Sequence, residues 1–208
     1  FSEFGSEKDN TRYMGQAGVH LQTRIHSTND TIENPFLDLH RMRHIIEPSI
    51  HAWWTGSSYD PESVPVYDAD VEALTEGFGI AFGVRNIWQT QRGGPGRWRS
   101  VDWLIVDTEF VLRSDDADVT ARLPRYIRYR PEFSRGGDHL HTEIAWMVTD
   151  ALAVAGDVTY SVETDEVEQW RLGLSLEQTP RLRFFIDFQN VAAFPERLLT
   201  YGLTYELT

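Results

Sequence analysis

The sequence predicts an all-β fold: an antiparallel up-and-down meander of about ten strands that forms part of a transmembrane barrel. Three observations predict it. Apolar and polar residues alternate with period two in run after run. No apolar run approaches the ~18–20 residues of a membrane helix. Short hinges also alternate with longer polar segments, as they do in outer-membrane barrels.

The first strand is expected over Tyr13 to His26. Tyr13, Gly15, Ala17, Val19, Leu21, Thr23 and Ile25 share one parity, and Gln16, His20, Gln22 and Arg24 the other. Arg41 to Trp54 is a second run, with Pro48 inside it. A mid-strand proline donates no ladder bond, so it marks a bulge, a kink or an edge, and its functional reading is a weakened ladder that helps a seam open. Phe78, Ile80, Phe82 and Val84 alternate with Gly79, Ala81, Gly83 and Arg85, and the run from Trp98 to Leu112 follows. Leu140 to Val148, Leu152 to Val162, Trp170 to Leu176, Leu182 to Phe188 and Leu199 to Leu207 repeat the pattern, with Phe185 out of phase. Val66 to Leu74 and Arg125 to Phe133 are further candidates. Polar segments at Asn29 to Asp38, Gly56 to Asp70 and Ser114 to Thr120 are expected to be loops. Tyr13, Trp54, Trp88, Trp98 and Tyr201 fall near strand ends in this reading, as in an aromatic girdle.

The composition narrows the function classes. The net charge is −13, from 19 basic and 32 acidic residues, so nucleic acid is not an expected partner. Without cysteine there is no disulfide, thiolate metal site or cysteine nucleophile. A mean hydropathy of −0.40 does not argue against a barrel, whose strands hide half their residues from lipid.

Several constellations could carry chemistry. His139, His141 and Glu143 share a strand face, but adjacent side chains on one strand rarely converge on one ion, so neither metal nor cofactor is expected. Asp107 and Glu109 form an acidic pair at a glycosidase-like spacing. The run Arg92-Gly-Gly-Pro-Gly-Arg97 lacks the ending of a phosphate loop and reads as a turn. Asn29-Asp30-Thr31 has the spacing of a glycosylation acceptor and reads as polar loop.

Two stretches, Leu39 to Trp54 and Gly77 to Asp107, resemble the barrel domain of the LptD family, the lipopolysaccharide-assembly outer-membrane proteins. Arg43, His44, Ile46, Glu47 and Pro48 carry the first likeness, and Asn86, Gln89, Thr90 and Arg92 the second. The resemblance implies that residues 1–208 are a single barrel segment of a longer chain in the outer membrane. It further implies export and insertion of lipopolysaccharide without catalysis. The implied partners are lipopolysaccharide, a plug lipoprotein of the LptE type and the periplasmic Lpt components. Arg24, Arg85, Arg171 and Arg183 are the polar residues expected to face the lumen. Two other readings remain open: a small stand-alone outer-membrane pore or barrel hydrolase, and a soluble β-sandwich or lipocalin-like binding domain. A soluble domain would bury its apolar parity, and a barrel would expose it.

Overall fold

The computed structural model describes residues 13–58, 76–114, 137–192 and 197–207. Within them the chain forms β1 (Met14–Gln22), β2 (Ile25–Asn34), β3 (Leu39–Ser57), β4 (Gly77–Arg92), β5 (Arg99–Arg113), β6 (His139–Met147), β7 (Leu152–Ser161), β8 (Glu166–Thr179), β9 (Leu182–Val191) and β10 (Arg197–Tyr205). They make one antiparallel sheet in the order β1-β3-β4-β5-β6-β7-β8-β9-β10, with β2 also paired to β3. The fold is the ten-stranded meander that the alternation predicts. The candidates at 66–74 and 125–133 lie outside the described residues.

β1 and β2 are in effect one long strand laid against β3. Gln22 faces Ser49 and Ile25 faces Ile46, so Thr23 and Arg24 stand one-to-one against Pro48 and Glu47. Pro48 is therefore not a bulge. The Thr23 amide donates to the Pro48 carbonyl at 3.2 Å, but proline has no N–H to return. One rung is lost, and the ladder between β1 and β2 is interrupted there.

Asn29 to Asn34 is strand rather than loop. Hairpin pairing with β3 overrides its polar composition: Glu33 faces His40 and Asn34 faces Leu39. Ion pairs link Arg41 to Asp30 at 3.0 Å and His40 to Glu33 at 3.3 Å. The 19 residues of β3 exceed the ~9–11 that cross hydrocarbon, so this hairpin has length to spare for water. Tyr201, expected near a strand end, is mid-strand and faces Ile186.

Apolar side chains dominate one face of the sheet and charged and polar ones the other, where Ile45, Ala81, Ile87 and Val111 are buried among them. Val19, Leu21, Ile50, Phe82, Ile144, Leu172, Leu174, Leu176, Ile186, Leu199 and Leu203 all lie on one face and are exposed. Glu47, His139, His141, Thr159, Ser161 and Gln169 lie on the other and are buried. A soluble domain would show the reverse. Mutual shielding of the polar side chains is what the concave side of a curved sheet produces, and the apolar rows form the convex side. Phe185, out of phase in the sequence, sits on the polar face opposite Gly202, where a Cβ would come within 2.2 Å of its ring.

Short turns at 35–38, 93–98, 148–151 and 180–181 share one end of the sheet, and the longest connections, 58–76 and 114–138, share the other. β1 and β10 are the two edges and run in the same direction. Among the described residues no ladder joins them.

The inverted polarity gives a direct test. Leu174→Arg on the apolar face is expected to cost about 2–4 kcal/mol in lipid, the usual range for a cation near the bilayer midplane. Ser175→Arg, one residue on, is expected to cost less than about 1 kcal/mol. Urea unfolding in vesicles measures both, and equal costs would contradict the assignment of faces.

Candidate functional site

The register brings the charged residues of the polar face into one row. Arg24 faces Glu47, which faces Arg85 on β4; Arg85 faces Asp107 on β5. The row continues through Glu143 on β6, Asp157 on β7, Arg171 on β8 and Gln189 on β9. Arg24 donates through Nε to Glu47. Arg171 pairs with Asp157 at 2.8 Å, and Arg85 approaches Asp107 at 3.9 Å. Glu47 stands between Arg24 and Arg85, and beyond them three carboxylates stand directly opposite one another on β5, β6 and β7, flanked by Arg85 and Arg171. Like charges placed that way oppose pairing, by up to about 1 kcal/mol each. Each leans on a partner of its own, Glu143 through His141 at 3.1 Å.

Of the other expected lumen residues, Arg183 shares the polar face but lies toward the short-turn end, paired with Glu177 at 3.2 Å. The row is thus assembled from residues on eight segments, and no local spacing in the sequence announces it.

His141 also sits in a small polar network. Its Nε2 donates to Glu143 and its Nδ1 lies 2.9 Å from the Thr159 hydroxyl, which donates to it when the ring is neutral. Hydroxyl, imidazole and carboxylate are lined up as in a nucleophile relay. Thr159, however, is 0% exposed, so no substrate carbonyl can reach it. His139 turns its Nδ1 to the Gly137 carbonyl at 3.1 Å. Among the described residues no group of three or more histidines and carboxylates is placed to hold a metal. Asp107 and Glu109 are divided between different rows and face different partners, Glu143 and His141.

The nine motif residues lie on β3 and β4, and all but Arg92 serve that strand pair. Arg43 faces Gln89, whose amide donates to Asp102 at 2.7 Å. His44 donates through Nε2 to Asn86 Oδ1, 3.0 Å away, and stacks on Trp88. The Thr90 hydroxyl bonds the backbone of His40 and Arg41 around the left-handed Arg41. Glu47 holds Arg24 beside Pro48.

Arg92 pins the short-turn end. Its guanidinium is 1% exposed and joins three turns. It donates to the Met147 and Val148 carbonyls at 2.8 and 3.0 Å and to Asp150 at 3.1 Å, and it approaches Asp38 at 3.5 Å. The run after it is a turn, as expected: Gly93 has φ 121°, where a Cβ would press on the Arg97 carbonyl. Arg99 closes the cluster on Asp150. Its hydrogen bond holds the Asp150 carboxyl below the ordinary value, against partial burial and with help from Arg92.

An exposed apolar face, a charged inner face and a continuous antiparallel wall together define the class: a transmembrane β-barrel wall of the outer-membrane type. Compared with known proteins, the chain matches no family model and no curated protein. Among solved structures it is similar to one described as "KdgM porin", with 8% identity and a TM-score of 0.31 over 95% of this chain and 98% of that one. A second is described as "KdgM porin in complex with disordered oligogalacturonate", with 9% identity and a TM-score of 0.29 over the same shares. The LptD resemblance is corrected by these findings: no family model or curated protein of that family is matched, and these two solved structures are described as porins. With it go lipopolysaccharide export and the expected lipopolysaccharide, LptE-type and Lpt partners. The physical reason lies in the motifs, because pairing between β3 and β4 and pinning of the turns account for residues that looked family-specific.

Two outcomes follow at the pin. Arg92→Ala leaves the turn carbonyls and Asp150 without their shared donor, and a loss of about 1–3 kcal/mol is expected in urea unfolding. Asp150 has a depressed folded pKa, so its contribution is complete above the unfolded value and is lost as pH falls through the folded one. Stability of the parent chain should therefore drop more than that of Asp150→Asn on acidification below about pH 4; parallel curves would contradict the pairing.

Proposed function

We propose that the chain forms the wall of a passive outer-membrane pore for small hydrophilic solutes. The observation that carries this reading is the charged row across the polar face, from Arg24 through Asp157 to Arg171. Three arginines and four carboxylates set side by side on one face need water before them. A wall packed against a dry core would leave such groups badly solvated. Rings of charged side chains set which ions pass, and the three adjacent carboxylates on β5, β6 and β7 put a local field at the wall. No bond is made or broken, which agrees with the inaccessible Thr159. The short-turn end faces the periplasm and the long connections face outward, following the usual asymmetry of these barrels.

Single-channel recording on the purified, folded chain in planar bilayers tests this. Stepwise conductance is expected, with ion selectivity close to neutral. Arg85→Glu together with Arg171→Glu should shift selectivity toward cations by a few fold, on the order expected for a ring of charge. A folded, bilayer-inserted protein that passes neither ions nor sucrose would overturn the proposal.

A further inference from the structure

His20 on β1 and His51 on β3 are direct cross-strand partners on the polar face. Their rings lie 5.6 Å apart, centre to centre, at 67°. Both side chains are exposed. His40, His44, His139 and His141 are each committed to a carboxylate, an amide, a carbonyl or a hydroxyl. Among the described residues the ring partners of His20 and His51 are each other and, for His51, Trp53 at 5.1 Å. Among the described residues no hydrogen bond or ion pair engages either ring.

We propose that His20 and His51 form a two-imidazole site for a borderline divalent transition-metal ion of the copper and zinc class. Imidazole is the ligand these ions share, and the neutral ring is the binding form. The geometry suits it. With metal–nitrogen bonds of about 2.0–2.1 Å, two rings on a tetrahedral ion have their centres about 5.2 Å apart. The observed spacing needs only small side-chain rotations to meet that. Exposure means that neither ring has to be desolvated or pulled from another partner. The floor beside the pair is low, because His51 faces Ala81 across β4 and Ser49 faces Gly83. Water can therefore complete the coordination, with Gln22 and Ser49 one step along the same face. The site lies four residues from the row of Arg24 and Glu47, roughly 13 Å along the strand toward the long-loop end. A cation held there sits on the face that the charged row shares, and it is separate from every pair in that row.

The test uses the folded full chain in detergent micelles, titrated with copper sulfate while tryptophan emission is followed. Trp53 is close enough to His51 for a bound paramagnetic ion to quench it. Saturable quenching at one equivalent is expected, with competition by zinc. His20→Gln or His51→Gln should each weaken binding at least about tenfold, while His26→Gln leaves it unchanged. Electron paramagnetic resonance of the one-to-one copper complex of the parent chain should show two imidazole nitrogens, a readout that does not depend on any variant folding or on conductance. Quenching that never saturates, an affinity in either variant equal to that of the parent chain, or a spectrum without two imidazole nitrogens would overturn the site. None of these results bears on whether the chain conducts.

Discussion

Hydrocarbon offers a strand no hydrogen-bond partners, so every backbone N–H and C=O at that depth has to be satisfied by a neighbouring strand. That constraint organises the whole molecule. It requires a continuous ladder, which β1 to β10 supply. It turns the apolar parity outward, where lipid takes the place of a core. It leaves the inner face as the only place for charge, and there charge accumulates at mid-strand, where a soluble sandwich would put leucine or valine. The charged row is thus the counterpart of the exposed leucines on β8, produced by the same alternation seen from the other side.

Much of this was legible in the chain. Period two located the strands because a pleated strand with two different surroundings cannot hide its parity. Leu172, Leu174 and Leu176 against Arg171, Gly173 and Ser175 already state which rows belong together. What alternation cannot state is which strand residue stands opposite which. The row from Arg24 to Arg171 depends on the register of six pairings, and beside it a bulge between β4 and β5 shifts Gln89 onto Asp102. Asn29 to Asn34 was missed for a related reason: its polar side chains suit a loop, and only the partner strand makes it β.

Arg92 shows how a correct observation can support a wrong inference. It stands out in the sequence as part of a recurrent-looking stretch. Its partners, Asp38, Met147, Val148 and Asp150, are scattered over more than 100 positions, so nothing local reveals that it ties three turns together. A residue fixed by such an arrangement looks motif-like whatever the barrel does. Family likeness read from strand-pairing residues therefore reports shared architecture before shared cargo.

Pro48 and its neighbour Glu47 have a consequence for assembly. A hairpin of near-repetitive alternation can pair in several alignments two residues apart, all of which keep the leucines outward. The single rung without a donor breaks that degeneracy. Sliding β1 by two positions would take Arg24 away from Glu47, leave that buried carboxylate uncompensated and move the missing donor opposite another acceptor. The defect and the ion pair beside it work as a key and its notch. They favour one alignment of this hairpin over its neighbours two residues away.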